Sequence, residues 1–366
     1  MPRHLLPALQ RRLTRLPAHT FTWLERMHHV VTGKTLIILV GHYYVRDDDG
    51  WIDAASVDVS LEYLSHACHV MPLREALSLL EQGRPLPPRA VSLVVDDAAA
   101  PFYEMGWPSL RAAGVPFSLG VVPGLIRADT AEHRIARLMY GVTSATDAEQ
   151  RAMVRRAWSH MGSAPLRDRR PLEALFDGAR RLDRDGLDGL VSDLDVPDET
   201  YMTWEHLSEL RDAGVDLVAH SMSHPRFRYV TGSWLDWELG RSAALIEEQS
   251  RQRVDTFVFP YGSTRCVTKT VRSGLMRHGY AFGLVTKPGI TTPRSDRFTL
   301  PRVNAEVEPD VFERHVDRRT WVFNGRRRTV AVEHPLAPPP WEAAGDAVAG
   351  AAPRPVARPG PVPSDH

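Results

Sequence analysis

Apolar residues gather along the chain in short continuous runs, separated by segments in which they recur every three or four positions. "TLIILVG" (35–41) and "AVSLVV" (90–95) are near-continuous apolar runs bounded by polar or turn residues, which predicts strands buried on both faces. "PLREALSLLEQG" (72–83) carries Leu and Ala at helical spacing and stops at Gly83, predicting a glycine-closed helix. "GWPSLRAAGVPFSLGVVPG" (106–124) and "TWEHLSELRDAGVDLVAHS" (203–221) each read as a helix, a short joint and a buried strand. "WLDWELGRSAALIEEQSRQRVDTFVFPYG" (234–262) and "TKTVRSGLMRHGYAFGLVT" (268–286) repeat that order. Helix-then-strand units with such short joints indicate parallel strands linked by crossover helices, either a (β/α) barrel or a doubly wound open sheet. Residues 128–200 interrupt the alternation with charged, Arg-rich segments of helical spacing and read as a helical insertion. No internal repeat of fixed period is evident.

The two ends behave differently. Residues 335–366 are mostly Pro, Ala and Gly without apolar period, and such a stretch cannot bury enough surface to offset its chain entropy, so a disordered tail is expected and fold reasoning stops near residue 330. Residues 1–34 form a basic segment whose apolar positions are broken every few residues. It holds neither a secretory apolar stretch of about 7–15 residues nor a spanning one of about 20. A cytoplasmic location is therefore expected. The segment reads as a helix packed on the domain edge or as a basic amphipathic helix in peripheral contact with a membrane.

Composition narrows the class. With 366 residues, 43% hydrophobic and 25% charged, the chain can bury a substantial core. Lys+Arg and Asp+Glu are both 45, so no basic excess points to nucleic acid. Cys68 and Cys266 lie far apart and form no CxxC pair, so neither a disulfide framework nor a cysteine-based metal site is indicated.

Three strand ends carry the chemistry. The run 90–95 ends in adjacent acids, Asp96 and Asp97, either as turn residues or as a metal-binding and proton-moving pair. The strand in 215–220 ends in His220, with His224 four residues on, just before Pro225. Two imidazoles and a carboxylate suit a catalytic divalent metal with open coordination positions, although an HxxxH spacing alone is a weak signal. A third strand ends in Pro260, Tyr261 and Gly262, an ordinary turn if taken alone.

Together, and in this order, the three stretches resemble the polysaccharide deacetylases of the NodB-homology type, carbohydrate esterase family 4. The family's Thr-Phe-Asp-Asp-Gly motif is matched by Val94 to Ala98 with the two acids kept, its histidine motif by His220, Ser221 and His224, and its Pro-Tyr-Gly strand end by residues 260–262. Further similarity lies in "LIILVGHYYV", in the Met-Thr-Trp segment before the histidines, and in "GLVTKPG" with "FTLPRVN", so the resemblance covers about residues 35–310. It implies a distorted (β/α) barrel that hydrolyses the acyl amide of an amino sugar, glycan precursor or glycoconjugate. It assigns Asp96 as general base, and Asp97, His220 and His224 as ligands of a divalent metal, with Zn²⁺ expected. The backbone N–H of Tyr261 becomes the oxyanion donor.

Three departures accompany the resemblance. The glycine after the acid pair is Ala98, the usual orienting arginine is Val258, and the usual general-acid histidine is Thr286. Arg302 is the candidate substitute for the missing arginine, and His42, at the end of the first strand, for the missing acid. These departures leave open a catalytically silent barrel that acts as a carbohydrate-binding or partner-binding module, and a scaffolding role in which the Pro-rich tail recruits partners.

Overall fold

The computed structural model describes residues 29–42, 54–161, 170–194, 201–305 and 309–317. Most of the basic N-terminal segment and the whole 335–366 tail lie outside these residues. Eight strands run in one sheet: β1 (Ile37–Gly41), β2 (His69–Val70), β3 (Ala90–Val95), β4 (Phe117–Val121), β5 (Asp216–Ala219), β6 (Thr256–Val258), β7 (Phe282–Thr286) and β8 (Leu300–Asn304). The order is β1-β8-β7-β6-β5-β4-β3-β2, and a further β1–β3 pairing joins Ile37↔Val91 through Gly41↔Val95. That pairing closes seven parallel strands into a barrel and leaves β2 as a short addition beside the start of β3. The closed (β/α) barrel, rather than the open sheet, is thus the architecture.

The helices in chain order are α1 (Ala54–Ala67), α2 (Leu73–Glu81), α3 (Trp107–Ala112), α4 (Ala131–Ser144), α5 (Asp147–His160), α6 (Pro171–Ala179), α7 (Arg184–Asp193), α8 (Trp204–Asp212), α9 (Gly232–Asp236), α10 (Ser242–Ser250), α11 (Lys269–Arg277) and α12 (Pro309–Val316). Threonine side chains cap α4, α5, α8 and α11 by accepting a backbone N–H of the first turn. A π turn at Trp237–Arg241 joins α9 to α10. Helices α4 to α7 lie between β4 and α8, and Arg241 anchors α4 by donating to Glu132 at 2.7 Å.

Strand residues divide by their period of two. Ile38, Val94, Val218, Val258, Leu284 and Leu300 form one apolar cluster inside the ring, and α2 buries Leu73, Ala76, Leu77 and Leu80 against it. Ile37, Leu39, Val91, Leu93, Leu119, Leu217 and Phe257 belong to the outer cluster beneath the helices. Each buried aliphatic side chain contributes about 1.5–3 kcal/mol. Arg74 of α2 closes the amino end of the barrel with bonds to Asp216 (3.0 Å) and Asp255 (2.8 Å) at the starts of β5 and β6. The opposite, carboxyl end is therefore the one left for chemistry. Among the described residues no helix is long and apolar enough to cross a membrane.

Candidate active site

Continuing the inward register beyond the interior cluster puts polar residues at the carboxyl mouth. Two residues on from Val94, Val218, Leu284 and Leu300 stand Asp96, His220, Thr286 and Arg302. Asp97 would face outward in an extended strand. β3 instead ends at Val95, and Asp97 and Ala98 take left-handed φ values of 77° and 55°. This turn brings the second carboxylate to the same mouth as the first. Met202 N–H donates to the Ala98 carbonyl at 2.9 Å, so the segment leading into α8 holds the turn in place.

Asp97 is the centre of a cluster. Its Oδ1 lies 3.2 Å from His220 Nε2 and 3.3 Å from His224 Nε2, and its Oδ2 lies 3.6 Å from His42 Nε2. One ligand atom each from Asp97, His220 and His224 falls within 4.8 Å of the others, the one such group of three among the described residues. His220 Nδ1 is 2.9 Å from the Val258 carbonyl, so in the neutral ring that nitrogen carries the proton and the Nε2 lone pair faces Asp97. Two acceptors then face each other. Consistently, the buried Asp97 Oδ1 has no aligned hydrogen-bond donor. An orphaned carboxylate oxygen meeting two imidazoles is a donor set that fits a divalent cation of the zinc class. Burial pushes the Asp97 carboxyl up, but the imidazoles of His224, His220 and His42 around it outweigh that and hold it well below the usual carboxylate range.

The second acid has a different partner. Arg302 Nη1 donates to Asp96 Oδ1 at 2.7 Å, and the two side chains are 1% and 7% exposed. The arginine comes from β8, while Val258, at the usual arginine's position, is a fully buried wall of the barrel interior. Thr286 is exposed at the mouth, with its Oγ1 3.5 Å from Arg302 Nη2. Tyr261 has φ 58°, its ring centroid stands 4.9 Å from that of His224, and the Arg226 guanidinium lies 4.7 Å above it. All seven residues singled out from the sequence therefore lie at the carboxyl mouth: Asp97, His42, His220 and His224 converge, Tyr261 lines His224, and Asp96 pairs with Arg302.

Five of the residues with left-handed backbones, Asp97, Ala98, Ser221, His224 and Tyr261, cluster here. Such conformations cost about 1–2 kcal/mol for a residue with a Cβ and persist only where the surroundings enforce them.

Two residues escaped the sequence reading. Tyr140 of α4 stands edge-on to His224, ring centroids 6.2 Å apart, which makes the helical insertion a wall of the site. Glu238 is fully buried and accepts from the backbones of Met222 and Ser223 and from Trp234 Nε1. Burial raises its carboxyl above the ordinary value, against the lowering effect of these bonds. A signal for Glu238 existed: it follows Trp234 by four residues and so shares an apolar helix face with it.

The polysaccharide deacetylase family profile matches residues 180–283, the stretch holding His220, His224 and Tyr261. The resemblance to the polysaccharide deacetylases holds. Solved structures that share the fold include Streptococcus pyogenes deacetylase PplD in complex with acetate, at 15% identity and a TM-score of 0.53, covering 77% of this chain and 98% of that one. IcaB from Ammonifex degensii aligns at 17% identity and a TM-score of 0.51, over 80% and 98% of the two chains. BC0361, a polysaccharide deacetylase from Bacillus cereus, aligns at 12% and 0.51, over 77% and 69%. No curated protein sequence matches this deacetylase-like chain. Asp96 and Asp97 lie outside the stretch that the profile covers, so their place beside the histidines rests on the geometry of the barrel mouth.

Proposed function

We propose that this chain is a metal-dependent hydrolase that removes an N-acetyl or other N-acyl group from an amino sugar of a glycan or glycoconjugate. The observation that carries this reading is the convergence of His220 and His224 on one orphaned oxygen of Asp97, at the same barrel mouth as a carboxylate aimed by a buried arginine. A bound divalent cation, with Zn²⁺ the best match to this donor set, supplies Lewis acidity that lowers the pKa of water and polarises the acyl carbonyl.

The chain's own groups supply the rest. Arg302 binds Asp96 Oδ1, which leaves Oδ2 to accept the proton of the attacking water. The backbone N–H of Tyr261 donates to the oxygen that gains charge as the tetrahedral intermediate forms. An amide expels a poor amine leaving group, so a proton donor is needed on that side. Thr286 does not titrate in the useful range, and His42, 3.6 Å from Asp97 Oδ2, takes this role. Tyr261 and Tyr140, flanking His224, offer flat apolar faces of the kind that a sugar ring packs against.

The test is metal analysis of the purified full-length chain alongside acetate release from N-acetylated oligosaccharides. One equivalent of metal is expected in the wild type and none in His220→Ala or His224→Ala. Asp96→Asn should keep the metal and lose acetate release. A double histidine variant that still holds one equivalent would sink the ligand assignment. A metal-loaded parent that is inactive on every N-acyl sugar would turn the reading toward a silent binding module.

A further inference from the structure

The two histidines of the cluster are held in unlike ways. His220 directly follows β5, and the carbonyl of Val258 at the end of β6 fixes its ring, so the barrel itself sets its direction. His224 has no strand beneath it. It sits at the end of the loop 221–224, whose first and last residues both have left-handed backbones, with φ of 67° at Ser221 and 53° at His224. Neither is glycine, so each conformation is strained and an outside restraint must hold the loop.

That restraint is visible. Four donors converge on Glu238. Met222 N–H (2.8 Å) and Ser223 N–H (3.0 Å) donate to Oε2, while the Ser223 hydroxyl (2.5 Å) and Trp234 Nε1–H (2.8 Å) donate to Oε1. The carboxylate is completely buried and no cation partners it in the hydrogen bonds made by its two oxygens. A buried acid with only neutral donors around it is costly unless all its lone-pair sites are used. Glu238 lies on the π turn between α9 and α10, and widened turns of this kind re-aim a side chain and recur at functional sites. On the loop's other side the Met222 carbonyl accepts from Gly124 N–H at 3.1 Å, and a Cβ at Gly124 would stand 2.3 Å from that oxygen. The two central loop residues are thus clamped between the β4 end and the Glu238 carboxylate, while Ser221 Oγ accepts from His224 N–H at 3.0 Å.

We propose that Glu238 is a positioning residue for the metal centre: it locks the loop that carries His224 and thereby sets the affinity and geometry with which Asp97, His220 and His224 bind a divalent cation. The proposal rests on the metal-centre reading given above. A carboxylate is required because three of the four partners, the two backbone N–H groups and Trp234 Nε1–H, can only donate. A glutamine would turn an NH₂ group toward at least one of these and leave that donor buried and unpaired. Loss of an outer partner of this kind typically lowers metal affinity about 10- to 100-fold.

The experiment uses the full chain stripped of metal and titrated with Co²⁺, with the visible absorption of the bound ion and the dissociation constant as readouts. The wild type is expected to bind one equivalent, and Glu238→Gln to bind about 10- to 100-fold more weakly with altered bands while keeping its far-ultraviolet circular dichroism. Ser223→Ala, which leaves both backbone bonds, should shift affinity by several-fold only. A merely structural Glu238 would lower the unfolding midpoint and leave the spectrum and affinity of the folded protein unchanged. Wild-type affinity and bands in Glu238→Gln, or in Ser223→Ala should the former not fold, overturn the proposal. Failure of the wild type itself to bind Co²⁺ overturns the metal centre, and this inference with it.

Discussion

Replacing Arg302 with Met keeps most of the side chain's length and removes its charge, leaving the Asp96 carboxylate buried without its partner. The two groups bond at 2.7 Å with side chains 1% and 7% exposed, so neither finds water in the variant without disturbing the barrel. Charge centres about 4 Å apart attract by about 4 kcal/mol at an effective dielectric of about 20. Breaking one side of a buried pair costs about 3–5 kcal/mol in practice, because the remaining ion keeps its desolvation penalty. A loss of about 4 kcal/mol is therefore expected from Arg302→Met, measured by urea unfolding of metal-free protein. Asp96→Asn combined with Arg302→Met removes both charges and should recover at least about 2 kcal/mol of that loss. The double-mutant cycle isolates this coupling. A loss below about 1 kcal/mol in the single variant, or no recovery in the double one, would refute the view that Arg302 offsets a buried carboxylate.

Other perturbations probe other parts of the molecule. His42→Ala should lower kcat on an N-acetyl sugar about 10²- to 10⁴-fold and spare an activated acetyl ester, whose leaving group needs no proton; equal losses on both substrates would remove His42 from the acid role. Ala98, buried at φ 55°, should tolerate Gly within about 1 kcal/mol of wild type in thermal or urea unfolding, whereas Val should cost more than about 2 kcal/mol through strain and overpacking; indistinguishable Gly and Val variants would contradict the left-handed turn. Burial raises the Asp216 carboxyl and Arg74 opposes that rise, so Arg74→Ala lifts it further. A raised carboxyl gives stability below its unfolded pKa that is lost as pH climbs, so the variant's deficit should be small near pH 4 and reach about 1 kcal/mol by pH 7, a figure kept low because Arg74 is 41% exposed. Unfolding curves showing the same deficit at both pH values would contradict this.

Most of the candidate site at the barrel mouth was legible because strands impose a period of two. Once "AVSLVV" and "VDLVA" are read as buried strands, the acids and the histidine that follow them must lie at one edge of the sheet. Closure of that sheet was not legible in the local pattern, which open and closed forms share, and was expected only through the family resemblance; the choice lies in the pairing of β1 with both β3 and β8, contacts distant in sequence. The swing of Asp97 toward the mouth could be required from the adjacency of the acids, but its means, left-handed turns at two residues that are not glycine, contradicts local propensity and needs the surrounding structure to enforce it. Tyr140 could not be placed, because an insertion helix gains its position from tertiary anchors such as Glu132 on Arg241. Glu238 stood out only as an acid on an apolar face, and its loop partners, sixteen and fifteen residues earlier at Met222 and Ser223, depend on a loop path that the pattern does not specify.

The strand order has a consequence for how the molecule comes into being. β1 waits between β3, its neighbour early in the chain, and β8, the last of the described strands to emerge during synthesis. β8 carries Arg302, and the bond from Arg302 to Asp96 spans 206 residues, so it forms only when the ring shuts. Until then the Asp96 carboxylate lacks its guanidinium, while Asp97 and the two histidines, all on earlier segments, can already meet. Under the proposed function, metal capture and catalytic competence are in this way separable in time: a nascent or stalled chain can hold an ion at an unfinished mouth, and the proposed base, Asp96, receives its orienting partner in the same event that makes the barrel topologically complete.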